Sequence, residues 1–332
     1  MNRQRAVKGA SGRPDCALRR GRSIVRAVSK LASMTDAIAR FVPDGASVCL
    51  GAGLEAVIPF AAGHEIIRQG KRDLTLIGPI SDMLFDQLIG AGCCRKVVAA
   101  WVGNVIAGLG HNYRRAVERG VPRPIEVEDH SNFTLSLGLL AGSLGAPYIP
   151  TRSLLGTGLL ESNRSFKLGT NPWTGEPEVL VPGITPDVAI VHVQRSDVEG
   201  HCHLWGTLGV TREAGLAARG VIVVAEEIRR REQLLADPNL VLVPPVKVLA
   251  VVHEPWGALP SPCQGFYGRD HEFFMRYHEE SRSPEGFRAW LEKWVLGVPD
   301  WKGFLELLGT ETLERLRVKQ PQLSEPLDYG AR

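Results

Sequence analysis

Gly220-Val221-Ile222-Val223-Val224 and Val248-Leu249-Ala250-Val251-Val252 contain no polar side chain. A strand with one wet face alternates apolar and polar residues, whereas a strand covered on both faces does not. Such runs therefore point to a mostly parallel sheet between two layers of helices. The rest of the chain fits. Strand signals fall at 47–50, 74–78, 96–102, 124–128, 147–151, 178–180 and 188–193. Helix signals fall at 33–41, 56–69, 82–89, 133–144, around 216–218 and at 227–235. From Asp270 onward the pattern is helical, at 272–281, 284–295 and 301–308, with Trp290, Trp294 and Trp301 placed to clamp this segment across the sheet. Residues 151–177 show little regular patterning and read as a functional or interfacial loop. The expected fold is α/β: an open, mostly parallel sheet sandwiched by helices, with a helical C-terminal segment.

Composition narrows the class. A 44% hydrophobic share over 332 residues is enough for a sizeable core, and no run of 18 apolar residues suggests a membrane span. The overall charge is +3, but residues 1–30 hold nine Lys or Arg against Asp15, so the remainder carries about −5. A basic body gripping nucleic acid is not indicated. The division expected is a basic disordered tail at 1–26, a main domain at 27–310 and a C-terminal tail at 311–332. The first segment reads as a disordered tail or a start codon placed too early rather than a transit peptide, because amphipathic spacing is poor. Six cysteines (Cys16, Cys49, Cys93, Cys94, Cys202, Cys263) form no C-x-x-C pair, and the adjacent Cys93 and Cys94 cannot bridge each other without strain. They read as a reduced, cytoplasmic set.

The strand at 47–50 runs into Gly51-Ala52-Gly53, then the expected helix. Glycine at 51 and 53 lets backbone approach a ligand, and a helix start there favours negative charge. Gly51 to Ala56 fits G-x-G-x-x-A, but a dinucleotide site wants an acid at the tip of the next strand. That strand, Leu74-Thr75-Leu76-Ile77, runs instead into Gly78-Pro79-Ile80-Ser81. Asp82 comes later, as an expected helix cap. The turn is read as a site for a carbonyl or carboxylate.

Asp44-Gly45, a short apolar run, Gly51 and Pro59 resemble the A-subunit signature of family I CoA-transferases. Ala52 and Gly53 stand where that pattern has a second glycine and a Phe, and Val57 where a glycine is common. Further segments resemble the A-subunit lineage of glutaconate CoA-transferase. They are Glu128-Asp129-His130-Ser131-Asn132, Pro147 to Gly156, Pro186 to His192, Ala217 to Glu226, and Pro255-Trp256-Gly257-Ala258 with Gln264-Gly265-Phe266-Tyr267. The likeness spans residues 24–309. It implies an α subunit that handles CoA as a substrate with no permanently bound cofactor and no metal. It also implies a β-subunit partner, in a heterodimer or α2β2 heterotetramer, that supplies the attacking Glu. Alternatives on the same fold are a CoA-thioester hydrolase, a ring-cleaving enzyme, a decarboxylase or a non-catalytic homologue.

The acids available in the chain are Glu55, Glu126, Glu128, Glu161, Glu226 and Glu227. Glu55 and Glu226 are expected at helix starts, where dipole compensation explains them. No acid of this chain is taken as the catalytic residue. The substrate-binding set is Gly51, Gly53, Gly78, Ser81, Ser131, Asn132, Arg152 and Gly156. The amides after Gly51 and Gly78 would face a carboxylate, Ser131 and Asn132 would open a helix beside a strand end, and Arg152 could fork onto a carboxylate. His201 and His203 lack a third ligand at metal spacing and read as turn residues.

Overall fold

A computed structural model describes residues 29–319. The basic segment 1–26 lies outside them, and of the expected C-terminal tail only residues up to 319 are described. The main sheet carries seven parallel strands: β1 (Ser47–Cys49), β2 (Leu74–Ile80), β3 (Cys94–Trp101), β4 (Glu126–Asp129), β5 (Val188–Ser196), β6 (Gly220–Ile228) and β7 (Val248–His253). Their order is β7-β6-β5-β1-β2-β3-β4. Register follows the apolar runs, with Val48 beside Leu76 and Val188, and Val223 beside Val191 and Val251. Val221 to Ala225 are all fully buried, as a strand covered on both faces requires. The outer edge of β7 is capped by residues 30–32: Val251 donates to Lys30 and Ala32 donates back to Val251 (2.8 and 3.0 Å).

Several elements differ from the sequence reading. The helix expected at 56–69 begins only at Phe60 (Phe60–Arg68). The helix expected at 227–235 is shorter still, because β6 continues through Glu227 and helix begins at Arg231 (Arg231–Leu235). The stretch 151–177 holds helix Gly158–Ser162 and strand Lys167–Thr170. That strand joins Tyr148–Thr151 and Pro177–Pro182 in an antiparallel three-stranded sheet with its own small core of Leu154, Phe166, Val179 and Val181. Helix His111–Arg119 and the hairpin Gly103–Asn104/Gly108–Leu109 were not anticipated. That helix is short and its apolar stripe is only Tyr113, Ala116 and Val117, of which Ala116 alone is buried.

The C-terminal helices do clamp onto the sheet layer. Trp290, Trp301 and Phe304 surround His64 of helix Phe60–Arg68, with ring centroids 6.1, 5.3 and 5.5 Å away. Burial drives the His64 imidazole down to about 3, so it packs as a neutral ring. Each buried aromatic contributes about 1.5–3 kcal/mol, which fixes this helix and the loop that leads into it. Among the described residues no helix is long and apolar enough to cross a membrane.

Candidate functional site

Strand order reverses at β1. The chain builds outward through β2, β3 and β4 on one side and through β5, β6 and β7 on the other. Open α/β sheets bind ligands in the crevice beyond the carboxyl ends of the strands at such a reversal. Here β1 ends in the turn Gly51-Ala52-Gly53. β5 ends in a hairpin with Cys202–His203, whose outgoing loop returns to that turn, where Val210 donates to the Ala52 carbonyl (2.9 Å).

The floor of the crevice is tightly built. Ser81, wholly buried after β2, donates its hydroxyl to the Leu50 carbonyl at 2.7 Å. A Cβ on Gly78 would stand 2.3 Å from Ser81 Oγ and 2.5 Å from Leu50 O, and one on Gly51 would stand 2.9 Å from Ser81. The two glycines therefore make room for Ser81, where the sequence reading had them make room for a ligand. Pro79 carries no N–H, so Gly78 contributes space and no following donor. A Cβ on Gly53 would meet Ala56 O at 2.6 Å and Val57 Cγ2 at 2.8 Å. Ala52 and Gly53 are buried, and their N–H groups donate to no acceptor among the described residues.

Beyond the turn the backbone is strained. Leu54, Glu55 and Val57 have φ of 54°, 60° and 49°, and Asp82 and Trp256 have 51° and 63°. Such residues cost about 1–3 kcal/mol each and persist where surroundings impose them. The imposing contacts come from far along the chain. Val57 donates to Pro262 O (2.9 Å), Ile58 to Ser261 Oγ (3.0 Å) and Ala61 to Gly257 O (2.9 Å), while Arg269 Nη2 donates to Glu55 O (2.9 Å). Two expectations are corrected here. Glu55 lies in a loop and not in a first helical turn, and the helix start behind the glycines has its Ala61 amide already occupied. Asp82 is also not a simple cap: its Oδ1 accepts from Met83 and Val105 amides (2.9 and 3.1 Å) inside the core. Burial raises its carboxyl to about 7 against the pull of Arg269.

The remaining expected residues are more dispersed. Ser131 caps helix Asn132–Leu144 in a reciprocal box with Thr134, and Asn132 stands exposed at its first turn, beyond the end of β4. Arg152 pairs with Glu176 (2.7 Å) on the small antiparallel sheet, both side chains more than half exposed. Gly156 forms a turn in the same substructure, with φ 77°. No hydrogen bond or ion pair joins Arg152 or Gly156 to the glycine turn among the described residues. His201 pairs with Asp197 (2.7 Å) and His203 with Leu234 O (2.8 Å), which leaves both in local roles.

Five of the six acids are engaged. Glu55 faces Arg269 (3.4 Å), and Glu227 pairs with Arg195 and Arg229. Glu126 and Glu128 share Lys96 and line a cavity of about 370 Å³ beside β4. The His130 hydrogen bond, aided by Lys96, holds the Glu128 carboxyl down at about 2. Glu161 is exposed on helix Gly158–Ser162. Glu226 departs furthest from expectation. It lies inside β6 and not at a helix start, 5% exposed. It accepts from the Tyr267 hydroxyl (2.5 Å) and the Trp256 amide (2.8 Å), with His192 Nε2 at 2.7 Å. The sequence offered no signal for this knot, or for Arg269, because the partners lie 30–41 residues from Glu226 and 214 from Glu55.

Residues 31–254 match the family described as Coenzyme A transferase. Over 83% of its length the chain is 40% identical to the A subunit of 3-oxoadipate CoA-transferase from Pseudomonas knackmussii, covering 97% of that protein. It is 32% identical to the A subunit of glutaconate CoA-transferase from Acidaminococcus fermentans, over 88% of this chain and 95% of that one. The crystal structure of glutaconate coenzyme A-transferase from Acidaminococcus fermentans superimposes with a TM-score of 0.82, covering 87% of this chain and 96% of that one at 32% identity.

Proposed function

The chain belongs to the coenzyme A transferase family, and from that premise we propose that it is the α subunit of a heteromeric CoA-transferase. It moves CoA from an acyl-CoA, of a dicarboxylate or related acid, to an acceptor carboxylate. Coenzyme A is a substrate and not a resident cofactor. The β subunit, in a heterodimer or α2β2 heterotetramer, supplies the Glu that attacks the thioester carbonyl and displaces CoA thiolate.

The observation that carries this reading is the glycine turn at the strand-order reversal, where the N–H groups of the buried residues Ala52 and Gly53 are unclaimed by any described residue. Buried amides normally find acceptors. The developing oxyanion of acyl transfer is an acceptor of the right charge, and preorganised N–H donors stabilise it strongly. Gly51, Gly53, Gly78 and Ser81 form the floor that holds those donors in place. Ser131 and Asn132 stand on the rim at the end of β4, and Arg152 and Gly156 on the outlying antiparallel sheet, where Arg152 exchanges Glu176 for a substrate carboxylate. The division of labour is supported by two of the chain's candidate acids: Glu55 is tied to Arg269 and Glu226 is sealed inside β6. Among the described residues, five buried thiols without a disulfide suit a reducing, cytoplasmic setting.

The test is reconstitution. The purified chain alone shows no exchange of CoA between thioester and free acid, and adding the β subunit restores it. Robust turnover by the isolated chain refutes the shared site.

A further inference from the structure

We infer that Glu226 is a positioning residue for the acyl pocket, acting through Tyr267 and the 256–262 segment on the loop that follows the glycine turn. The inference rests on the assignment of that turn to the acyl pocket, proposed above.

Glu226 sits in strand β6 and its side chain makes no hydrogen bond or ion pair to the glycine loop among the described residues. Its two oxygens instead organise a second segment. Oε2 accepts the Trp256 amide, where the backbone is left-handed at φ 63°, and Oε1 accepts the Tyr267 hydroxyl. Tyr267 lies stacked on Trp256, with ring centroids 4.4 Å apart, and its oxygen also accepts the Ala258 amide (3.2 Å). One carboxylate thus fixes both ends of the turn 256–258 and ties it to Tyr267, whose backbone bridges Cys263. That turn and its continuation supply three of the contacts that shape the strained loop exit. Gly257 O takes the Ala61 amide, Ser261 Oγ the Ile58 amide and Pro262 O the Val57 amide. Val57, β-branched and at φ 49°, cannot hold its conformation by local preference. The position of the glycine loop is therefore set at Glu226, two layers of hydrogen bonds away.

The molecule contains its own control. Asp86 is a second buried carboxylate that accepts a tyrosine hydroxyl at 2.5 Å, from Tyr277, together with the Asn112 side chain and the Tyr113 amide. That knot joins helices Asp82–Gly90, His111–Arg119 and His271–Glu280 and makes no hydrogen bond to residues 51–61. Tyr267→Phe and Tyr277→Phe thus remove the same chemical group from equivalent settings, and only the first lies on the path to the loop.

The experiment compares the two variants in two ways. Amide hydrogen exchange on the full chain is expected to speed up at least tenfold at Val57, Ile58 and Ala61 in Tyr267→Phe and to stay at the wild-type rate in Tyr277→Phe. Steady-state kinetics of the complex with the β subunit should show kcat lowered about tenfold or more in Tyr267→Phe at saturating acyl-CoA, the scale expected for misplaced catalytic groups. Tyr277→Phe should keep kcat and KM at a similar loss of Tm. Glu226→Gln, which keeps volume and one acceptor, should fall between wild type and Tyr267→Phe. Equal exchange and equal kcat in the two Tyr variants overturn the inference, as does faster exchange at the three amides with kcat unchanged. The exchange measurement needs no turnover. A wild-type complex without transferase activity would therefore remove the proposed function and leave the hydrogen-bond path to be judged on exchange alone, where unchanged rates in Tyr267→Phe overturn it.

Discussion

Gly78→Ala is the sharpest test of the crevice floor. The added methyl would begin 2.5 Å from Leu50 O and 2.3 Å from Ser81 Oγ, where ordinary contact starts at 3.4 Å. Ser81 can rotate away, but only by giving up its 2.7 Å hydrogen bond to Leu50 O, a net loss of about 1 kcal/mol. Leu50 is backbone at the exit of β1 and must retreat by about 0.9 Å, from 2.5 to 3.4 Å, at an overpacking cost of about 1–3 kcal/mol. The sum is about 2–4 kcal/mol, or roughly 4–10 °C in Tm for a domain of this size, which leaves the chain folded. The same retreat moves the Ala52 and Gly53 donors that follow Leu50, and a displacement near 1 Å lowers rate by about 10²-fold. Differential scanning fluorimetry of the chain and kcat/KM of its complex with the β subunit measure the two effects. Gly158→Ala is the control, since a Cβ there meets nothing within 4 Å. A Gly78→Ala complex with wild-type Tm and kcat/KM would refute the claim that Ser81 and Leu50 leave no room.

Three further outcomes follow from other sites. At position 57, where φ is 49°, Val57→Gly should be more stable than Val57→Ala by about 1 kcal/mol, the reverse of the usual order, because only glycine escapes the left-handed penalty; chemical denaturation decides, and Ala above Gly contradicts the strain. Asp82 has its carboxyl raised to about 7 from an ordinary 3.8, so native stability falls as pH rises from about 4 to 7 and is level above that. Asp82→Asn, which cannot ionise, should match wild type near pH 4 and exceed it at pH 8 by roughly 2–4 kcal/mol; a difference that does not change with pH disproves the shift. Arg152→Ala breaks an exposed pair with Glu176 and should change stability by less than about 1 kcal/mol, while raising KM for the acceptor acid about tenfold; an unchanged KM removes Arg152 from the substrate site.

The layered α/β sheet was legible because its cause is local. A strand buried on both faces must be apolar at consecutive positions, and Val221 to Val224 and Val248 to Val252 state this in the sequence itself. The glycine turn after β1 and the place of Ser131 at a helix start were legible for the same reason, and of the three tryptophans expected to clamp the C-terminal segment, Trp290 and Trp301 pack on His64 of helix Phe60–Arg68. Two strands of the small antiparallel sheet were expected, at 147–151 and 178–180, whereas the third, Lys167–Thr170, escaped notice because it is short and mostly exposed, with no alternation to mark it.

What only the tertiary structure decided is where the strands stand relative to one another and which distant groups hold the loops. Strand order places the reversal between β1 and β5, segments 140 residues apart where Asp187 accepts from the Ser47 amide. The left-handed run at Leu54, Glu55 and Val57 reads from sequence as the start of a helix. It is a loop because Ser261, 203 residues from Ile58, and Arg269, 214 residues from Glu55, supply the hydrogen bonds that outweigh the local preference. Hydrophobic pattern is written residue by residue, whereas a hydrogen bond between remote segments exists only once the core has brought them together.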